Sequence, residues 1–383
     1  MPTKSGLRVS VHYHGCEKRK LDAQRILNYF TVNGYKATPE VRNADIVVFV
    51  TCAFNQSHQD ISLEKLQKLY SQLQGDTQMV ISGCLPAINP PSIASFPGVV
   101  TIGPRDLGKF DGLIHAKVPF ESIKDPNETV FEGKHSRPRP IRMKISPEDN
   151  FDGDGEIEVK ETARWAYEQA RSSFKIRLNE GCLGNCAYCV TRYATGALQS
   201  KPLPMVLQEF KDGRSKGESS FFFTGGDSGA YGLDLGITLV DFLQEIFMDP
   251  GDFQIHFHDF GIQWLIKYQE KLIPLLAANN KRLGCFSFPI QSGSDRVLSF
   301  MRRPYQAKQV IAVLNRLKKE APNILIGTHF IVGFPGETEA DFKQTVALLQ
   351  EAAIDFVMIY RYTDHERADS HHFPNKKIGR AHV

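Results

Sequence analysis

Short apolar segments alternate with helix-like segments along most of the chain, in two series. In the first series, strand patterns at residues 7–14, 45–51 and 78–82 surround a helical pattern at residues 20–33. Strands that are separated by helices pair in parallel, because each helix carries the chain back to the start of the sheet. Residues 1–115 are therefore predicted to form a parallel-sheet α/β domain.

The second series covers residues 173–365 and contains six strand patterns with helical patterns between them. The strand patterns lie at residues 174–178, 218–223, 253–258, 283–289, 325–332 and 355–361. Six successive βα units predict a partial (β/α)6 parallel barrel, so the fold class of the whole chain is α/β. Residues 366–383 are predicted to be a C-terminal tail.

Residues 116–172 differ in composition from both series and are predicted to be an interdomain linker. A basic stretch at residues 134–144 contains two prolines, and an acidic stretch follows at residues 148–161. Prolines and clustered like charges disfavour packed structure. The basic stretch could contact phosphate groups, but a solvated linker is the preferred interpretation.

The bulk composition limits the class of protein and its location. The chain has 383 residues, 42% of them hydrophobic and 23% charged, with a formal net charge of +3, which permits a nucleic-acid partner without arguing for one. The sequence contains neither an apolar run of about 18 residues nor a secretory leader, so we expect no membrane association. Seven cysteines, an odd number, suit a reducing compartment and predict a cytoplasmic protein, which we expect to be a monomer.

Cys182, Cys186 and Cys189 form a compact C-x3-C-x2-C group. Three thiolates at this spacing can bind three irons of a 4Fe–4S cluster and leave the fourth iron open to a small molecule. A zinc knuckle or a chance group of core thiols is the alternative. Zinc usually takes four ligands in paired spacings, and no further Cys or His lies nearby in the sequence, so the cluster is favoured.

Three more cysteines, Cys16, Cys52 and Cys84, each follow one of the strand patterns of the first domain. The carboxyl ends of parallel strands meet at one edge of a sheet, where ligands collect. These positions predict a second 4Fe–4S cluster, against the alternative that small thiols simply fill buried strand ends. Cys285 lies inside a strand pattern and is interpreted as an inert core residue.

Together these motifs resemble the radical S-adenosylmethionine (radical SAM) methylthiotransferase family, from about residue 8 to about residue 365. The similarity extends beyond the cysteines to the runs 178–189, 224–234, 289–296 and 331–338. The runs 194–202 and 227–232 resemble the archaeal and eukaryotic branch, which methylthiolates threonylcarbamoyladenosine in transfer RNA (tRNA).

Three features differ from the family pattern. The Asn usually found a few residues after the first cysteine is absent, since residues 17–20 are Glu-Lys-Arg-Lys. The other two differences concern the substrate-facing end. The chain stops before the usual C-terminal RNA-binding TRAM domain, and residues 364–370 replace the family's Arg-Pro-Gly-Thr-Pro segment. On these grounds a peptide, protein or small-molecule substrate is expected in preference to tRNA, with tRNA as the alternative. Sulfur insertion without methylation and a non-catalytic iron–sulfur protein are further alternatives.

The resemblance implies two 4Fe–4S clusters and S-adenosylmethionine as cofactors, with a reductase such as flavodoxin or ferredoxin as the electron donor. One cluster, on Cys182, Cys186 and Cys189, would generate a radical that takes hydrogen from a C–H bond. The other, on Cys16, Cys52 and Cys84, would supply sulfur, and a second S-adenosylmethionine would donate the methyl group.

The resemblance and the strand-end positions also predict the residues that bind S-adenosylmethionine. These are Tyr188, Thr224, Gly225, Gly226, Asp227, His256, His258, Asp259, Gln291, Ser292, Val332 and Gly333. Asp227 is expected to pair with the ammonium group of the cofactor. Arg361 is expected to bind a substrate carboxylate or phosphate, whereas Arg302 and Arg303 are expected to face solvent.

Overall fold

A computed structural model describes residues 6–131 and 170–376. The described residues form two compact units. The first contains residues 6–131 together with Val190–Gly196, and the second contains residues 170–189 and 197–376. Each unit is built on its own parallel sheet, so the predicted α/β fold class is confirmed.

The sheet of the first unit has five strands, all parallel, in the order β2-β1-β3-β4-β5. The strands are β1 (Arg8–Tyr13), β2 (Lys36–Ala37), β3 (Ile46–Thr51), β4 (Gln78–Gly83) and β5 (Val100–Ile102). The strand order reverses between β1 and β3, and doubly wound sheets bind their ligands at such a point. The helices of this unit are Glu17–Val32, Gln56–Tyr70, Leu85–Ile88, Phe110–Ile114 and Arg192–Thr195.

The core of the first unit extends beyond the predicted boundary at residue 115. Phe120 and Ile123 are buried with Phe30 in this core, and the Arg25 guanidinium donates a hydrogen bond of 2.7 Å to the carbonyl oxygen of Ile123. Residues 116–131 are therefore packed structure, and the predicted linker begins too early. The rest of that linker up to residue 169, with its basic and acidic stretches, lies outside the described residues.

The sheet of the second unit has six parallel strands that follow one another in sequence order. They are β6 (Phe174–Arg177), β9 (Ser220–Thr224), β10 (Gln254–Phe257), β11 (Leu283–Gln291), β12 (Leu325–Val332) and β13 (Phe356–Arg361). Two short strands, β7 (Asn179–Glu180) and β8 (Gln199–Ser200), form an antiparallel pair. The helices are Leu203–Ser215, Leu239–Phe247, Ile262–Ala278, Asp295–Phe300, Ala307–Glu320 and Glu339–Glu351.

Alternate residues of these six strands face opposite sides of the sheet. Phe221 and Phe223 pack in the large core that includes the helices, whereas Phe222 belongs to a smaller cluster with Cys285 and Phe356. The six strands thus have an inner face as well as a helix-covered face. Cys285 lies among apolar side chains of that inner face, in line with its interpretation as a core residue.

The predicted C-terminal tail is partly integrated into the second unit. Ala368 and Ser370 are buried, and the Ser370 backbone N–H donates a 2.9 Å hydrogen bond to the carbonyl oxygen of Ala187. The described part of the tail, residues 366–376, is therefore packed structure. Among the helices of the described ranges, none has the length and apolar character needed to cross a membrane.

We predict that Phe30→Ala lowers the free energy of unfolding by about 3–5 kcal/mol, the usual cost of removing a buried phenylalanine. The Phe30 ring is fully buried and contacts the rings of Tyr29, Tyr35 and Phe110 edge-on. Chemical denaturation measures the change. Val32→Ala on the same helix is the control, because Val32 is 57% exposed and its loss should change stability by less than about 0.5 kcal/mol. Equal effects of the two substitutions would contradict the packing described here.

Candidate functional site

The first cysteine triplet lies in the loop that follows β7, and backbone hydrogen bonds fix this loop. The Cys189 N–H donates to the Cys186 carbonyl over 3.1 Å, and the Ala187 N–H donates to the Met301 carbonyl, also over 3.1 Å. All three thiols are partly exposed. The loop is therefore a defined structure in which the thiols remain accessible to a ligand.

The thiols of this triplet fit a 4Fe–4S cluster. A Cβ atom placed on Gly184 would lie 3.2 Å from Cys182 Sγ and 3.6 Å from Cys186 Sγ, so both sulfur atoms border the same small space. Within the described ranges, no three Cys, His, Asp or Glu side chains converge on a single metal ion. A cubane does not require such convergence, because each thiolate binds a different iron.

Burial raises the pKa of Cys182 to about 12, with smaller contributions from the charge of Asp227 and from the neighbouring thiols. The Gly184 N–H acts in the opposite direction by donating a 3.1 Å hydrogen bond to Cys182 Sγ. A thiolate at this position therefore requires a compensating positive charge, which a bound metal supplies.

Arg303 also contacts this triplet, although sequence analysis expects it to face solvent. Its Nη1 donates to Cys186 Sγ over 3.3 Å, its Nη2 to the Pro289 carbonyl over 2.7 Å, and its Nε to Tyr305 Oη over 2.7 Å. The neighbouring Arg302 is exposed and pairs with Asp369. Only one of the two adjacent arginines is therefore solvent-facing.

The second triplet lies at the carboxyl ends of three neighbouring strands of the first unit. Cys16 follows β1 and caps the helix Glu17–Val32, Cys52 directly follows β3, and Cys84 follows β4. The Cys84 N–H donates to the Thr51 carbonyl over 3.0 Å. Adjacent parallel strands thus place the three cysteines at one edge of the sheet.

Two observations show that these three cysteines lie close together. A Cβ atom on Gly15 would lie 3.0 Å from Cys52 Cβ. Burial raises the pKa of Cys52, and the thiols of Cys84 and Cys16 raise it further by their charge. Three thiols within electrostatic range at the ends of parallel strands fit a second 4Fe–4S cluster.

The loop after β9 packs directly against the first triplet's loop. A Cβ atom on Gly226 would overlap the carbonyl oxygen of Gly181, and one on Gly225 would overlap the Asn179 side chain. Asn179 joins the two loops, because its Oδ1 accepts a 2.8 Å hydrogen bond from Gly226 N–H and its Nδ2 donates 2.8 Å to the Asp227 carbonyl. The two glycines permit this backbone contact, and sequence analysis missed the role of Asn179.

The buried carboxylate of Asp227 is occupied by protein donors. Oδ1 accepts from the N–H groups of Gly229 (3.2 Å) and Gly261 (2.9 Å), and Oδ2 accepts from Gln263 Nε2 (3.1 Å) and Trp264 Nε1 (2.7 Å). Four donors fill the usual positions around a carboxylate. The expected pairing of Asp227 with the cofactor's ammonium group is therefore not supported, and this side chain instead holds the loop in place.

His256 also has a framework role. Its Nδ1 accepts from the Cys285 N–H over 2.9 Å, and its Nε2 lies 3.0 Å from Ser220 Oγ. Burial lowers the pKa of His256 to about 4, so the ring is neutral near pH 7. Both ring nitrogens are engaged by the protein, which leaves this residue no evident contact with a cofactor.

A row of polar rings crosses β10, β12 and β13. His258 Nδ1 lies 3.1 Å from Asp259 Oδ2, and the His258 ring centroid lies 6.2 Å from that of His329. His329 Nε2 lies 3.2 Å from Ser287 Oγ, and its ring meets Tyr360 edge-on at 5.6 Å. His329 and Tyr360 are absent from the predicted site residues, and their neighbours in the row make them candidates.

Two other predicted cofactor residues have buried polar atoms without a partner among the described residues. These atoms are Thr224 Oγ1 and Gln291 Oε1, at the ends of β9 and β11. Gln291 has a φ of 81° and Asp259 a φ of 54°, a left-handed backbone that is strained in residues other than glycine. Unpaired polar atoms and strained backbone are typical of ligand sites.

Of the remaining predicted residues, Tyr188 lies in the cysteine loop, and the others lie at or just after the ends of β11, β12 and β13. Ser292 Oγ accepts a 3.2 Å hydrogen bond from the Ser294 N–H, and the Val332 carbonyl accepts one of 2.8 Å from the Tyr362 N–H. The Gly333 N–H donates to Glu337 Oε2 over 2.5 Å. The ring centroids of Tyr188 and Phe334 are 6.5 Å apart, and Arg361 is exposed. Their assignment to cofactor or substrate stays a prediction.

Two family models match the chain. Residues 176–349 match the radical SAM superfamily, and residues 8–103 match the family described as uncharacterized protein family UPF0004. The chain thus contains the two domains that its motifs predict, and its curated relatives are named as methylthiotransferases. It is therefore an enzyme that uses S-adenosylmethionine and two 4Fe–4S clusters, as the sequence predicts.

Curated relatives fall into two groups by name. A ribosomal protein uS12 methylthiotransferase from Nitrosomonas eutropha is 28% identical and aligns over 94% of this chain and 75% of its own length. A threonylcarbamoyladenosine tRNA methylthiotransferase from Thermotoga maritima is 25% identical, with 93% and 74% aligned. A probable enzyme of the latter kind from Methanocaldococcus jannaschii is 24% identical, with 95% and 78% aligned.

Solved structures support the fold. The radical S-adenosylmethionine methyltransferase TsrM from Kitasatospora setae superimposes with a TM-score of 0.59 at 14% identity, over 92% of this chain and 75% of TsrM. The relatives correct one prediction from the sequence. Their names refer to tRNA as well as to ribosomal protein uS12, so the stated preference for a non-tRNA substrate over tRNA is wrong.

We predict that Gly226→Ala removes most of the iron bound by Cys182, Cys186 and Cys189, because the added methyl group displaces the backbone of Gly181 beside Cys182. Iron and sulfide analysis after anaerobic reconstitution measures the loss. Gly112→Ala is the control, because a Cβ at Gly112 meets nothing within 4 Å. Full iron content in the Gly226 variant would contradict the close contact of the two loops.

We predict that His256→Asn makes the folded protein less sensitive to acid. The pKa of His256 is about 4 in the folded state, below the value of about 6.5 expected in an unfolded chain, so protons bind preferentially to the unfolded state between these values. The stability contributed by neutral His256 is complete above about pH 6.5 and is lost as the pH falls toward 4.

Denaturation at pH 7 and pH 4.5 tests this effect. Between pH 7 and pH 4.5, the free energy of unfolding of wild type should fall by about 2–3 kcal/mol more than that of His256→Asn. Asn is chosen because its Oδ1 can still accept a hydrogen bond from the Cys285 N–H. His115→Asn, at an exposed position, makes the same chemical change and should behave as wild type. Identical acid sensitivity of the His256 variant and wild type would refute the assignment.

Proposed function

We propose that this protein attaches a methylthio group to threonylcarbamoyladenosine in tRNA. The observation that carries the proposal is the presence of two cysteine triplets, each fixed at or beside the carboxyl ends of a parallel sheet and each fitting a 4Fe–4S cluster. Two relatives that align over more than 90% of this chain, from Thermotoga maritima and Methanocaldococcus jannaschii, are named for this reaction. The resemblance of runs 194–202 and 227–232 to the same branch supports this choice of substrate.

The first unit offers side chains suited to an RNA substrate near its cysteines. Phe54, two residues after Cys52, is 46% exposed, and Tyr193 is 37% exposed. The Arg192 guanidinium stacks on the Tyr193 ring at 5.2 Å. The helix that carries Tyr193 packs on the helix Leu85–Ile88, which begins directly after Cys84. Aromatic rings and arginines are the usual partners of unstacked RNA bases.

In this proposal, each group of residues in the second unit has a separate role. Cys182, Cys186 and Cys189 would hold a 4Fe–4S cluster, which when bound would supply the electron for reductive cleavage of S-adenosylmethionine. Asn179 and Asp227 keep the loops around it in place through the hydrogen bonds described above. Thr224 and Gln291 supply the unpaired Oγ1 and Oε1 atoms that can bind the cofactor.

In the first unit, Cys16, Cys52 and Cys84 would hold the second 4Fe–4S cluster, which would supply the sulfur. Cys52 is 4% exposed, so its thiol is shielded from water. None of the seven cysteines, all of which are described, is in a disulfide. We also propose a cytoplasmic location, where reducing conditions preserve these thiols.

Ribosomal protein uS12 is the second candidate substrate, because the relative from Nitrosomonas eutropha and others are named for it. The same cysteine chemistry serves either substrate. The difference therefore concerns substrate recognition, and a single experiment can compare both.

We predict that expression of the gene in cells lacking their own methylthiotransferases adds the mass of an S–CH3 group to threonylcarbamoyladenosine. Mass spectrometry of nucleosides from bulk tRNA and of peptides from uS12 measures both possible products. Cys182→Ala and Cys52→Ala should each abolish the product and leave roughly four of about eight irons per chain. Cys285→Ala, which changes a buried core thiol, is the matched control and should retain product and iron.

Product on uS12 with none on tRNA would assign the protein to the second substrate. Absence of product on both would refute the proposed substrate class. A Cys52→Ala protein that retains eight irons would contradict the role given to the second triplet.

A further inference from the structure

Arg303 holds a positive charge at a fixed position beside Cys186. Three of its nitrogens donate to three different acceptors: the Cys186 sulfur, the Pro289 carbonyl and the Tyr305 hydroxyl. Tyr305 is itself anchored, because its Oη donates a 2.8 Å hydrogen bond to the Ile290 carbonyl. The guanidinium is therefore locked in one orientation with an N–H directed at a cysteine sulfur.

A specific turn directs Arg303 inward. The helix Asp295–Phe300 ends with the Arg302 N–H donating to the Ser299 carbonyl (2.9 Å) and the Arg303 N–H donating to the Leu298 carbonyl (2.8 Å). These two bonds define a Schellman motif, in which the residue at the position of Arg302 adopts a left-handed backbone and is usually glycine. Arg302 has a φ of 59°, so the chain accepts a strained residue here while Arg303 reaches the cysteine loop.

The hydrogen bonds of Arg303 in the described ranges go to one sulfur and two neutral oxygens, and none goes to a carboxylate. The charge of Arg303 does reach the buried Asp227 and acts to lower its pKa against the effect of burial, but the Asp227 carboxylate takes its hydrogen bonds from four other donors. A cation and an N–H directed at a ligand sulfur stabilise the state of a cluster that carries more negative charge. One-electron reduction adds one negative charge, so both effects favour the reduced cluster.

We propose that Arg303 is a positioning residue that raises the reduction potential of the cluster bound by Cys182, Cys186 and Cys189. This inference rests on the proposed function to the extent that it requires the cluster to be bound. Arg303 neither binds the substrate nor transfers an atom in this role. Its hydrogen bond and charge make the one-electron reduction that precedes catalysis more favourable.

The test compares Arg303→Met, Arg303→Lys and the adjacent control Arg302→Met in the full-length chain. Each protein also carries Cys16→Ala, Cys52→Ala and Cys84→Ala, so that a single cluster gives the signal. After anaerobic reconstitution and iron analysis, the cluster is titrated with dithionite in the presence of redox mediators. Electron paramagnetic resonance follows the reduced form and yields the midpoint potential.

We expect Arg303→Met to lower the equilibrium constant for reduction at least tenfold, which for one electron is a shift of about 59 mV to more negative potential. Arg303→Lys retains the charge and should shift the potential less. Arg302→Met should leave it unchanged, since Arg302 pairs with Asp369 at the surface. If Arg303 were only structural, its replacement would lower the iron content. We expect instead that the iron content stays constant while the midpoint potential shifts.

An unchanged potential in an iron-loaded Arg303→Met protein would overturn the inference. If the Met variant binds no iron, Arg303→Gln, which removes the charge and keeps an N–H donor, is titrated in its place: a negative shift supports the inference and no shift overturns it. The outcomes are separable from those of the proposed function. If wild type gives no methylthio product on tRNA but the Arg303 variants still shift the midpoint potential, only the proposed substrate is contradicted. If wild type is active but the Arg303 variants leave the potential unchanged, only this inference is contradicted.

Discussion

Parallel strand pairing is the constraint on which both candidate sites depend. In each unit, the main sheet contains only parallel strands, so every strand ends at the same edge. Cys16, Cys52 and Cys84 are far apart in sequence, yet each follows one of three neighbouring strands and is brought to that edge by backbone hydrogen bonding alone. The reversal of strand order between β1 and β3 separates their following connections and leaves room for a ligand beside the cysteines. The thiols need no dedicated scaffold beyond the sheet itself.

Close approach of backbones completes each site. Gly226 lies against Gly181, and Gly83 lies against Thr51, at distances where a Cβ atom would overlap a backbone oxygen. Desolvation by the surrounding protein raises the pKa of Cys182 and of Cys52 above the ordinary thiol range. Metal binding requires deprotonated thiols, so iron binding and the folded arrangement are linked: the cluster supplies the charge that offsets the cost of burying thiolates.

The sequence predicts the parts of this protein that rest on regular patterns. Buried strands such as β3 are predicted by continuous apolar runs. One cysteine group is predicted from its spacing and the other from its position after three strands. Short elements such as β2, with two residues, give no periodic signal. The roles of Asp227 and Arg303 depend on contacts that the local sequence does not show. The carboxylate of Asp227 accepts hydrogen bonds from Gly261 and Trp264, which are distant in sequence. Arg303 points inward because Arg302 adopts a left-handed backbone at a position where glycine is usual. The mistaken substrate preference rested on where the given sequence ends and on the departure at residues 364–370, and neither feature identifies a substrate.

The two triplets differ in the electrostatics of the arginine beside them. Arg19 lowers the pKa of Cys52 by its charge, but it forms a buried ion pair of 2.6 Å with Asp22, which offsets that charge. Arg303 donates directly to Cys186, and within the described part of the chain it has only neutral oxygens as its other acceptors. A cation that donates directly to a ligand sulfur favours adding an electron, whereas a cation held in an ion pair has a smaller net effect on the potential. Under the proposed function, the arginine beside the centre that must be reduced donates to neutral oxygens, whereas the arginine beside the sulfur-supplying centre is paired with a carboxylate.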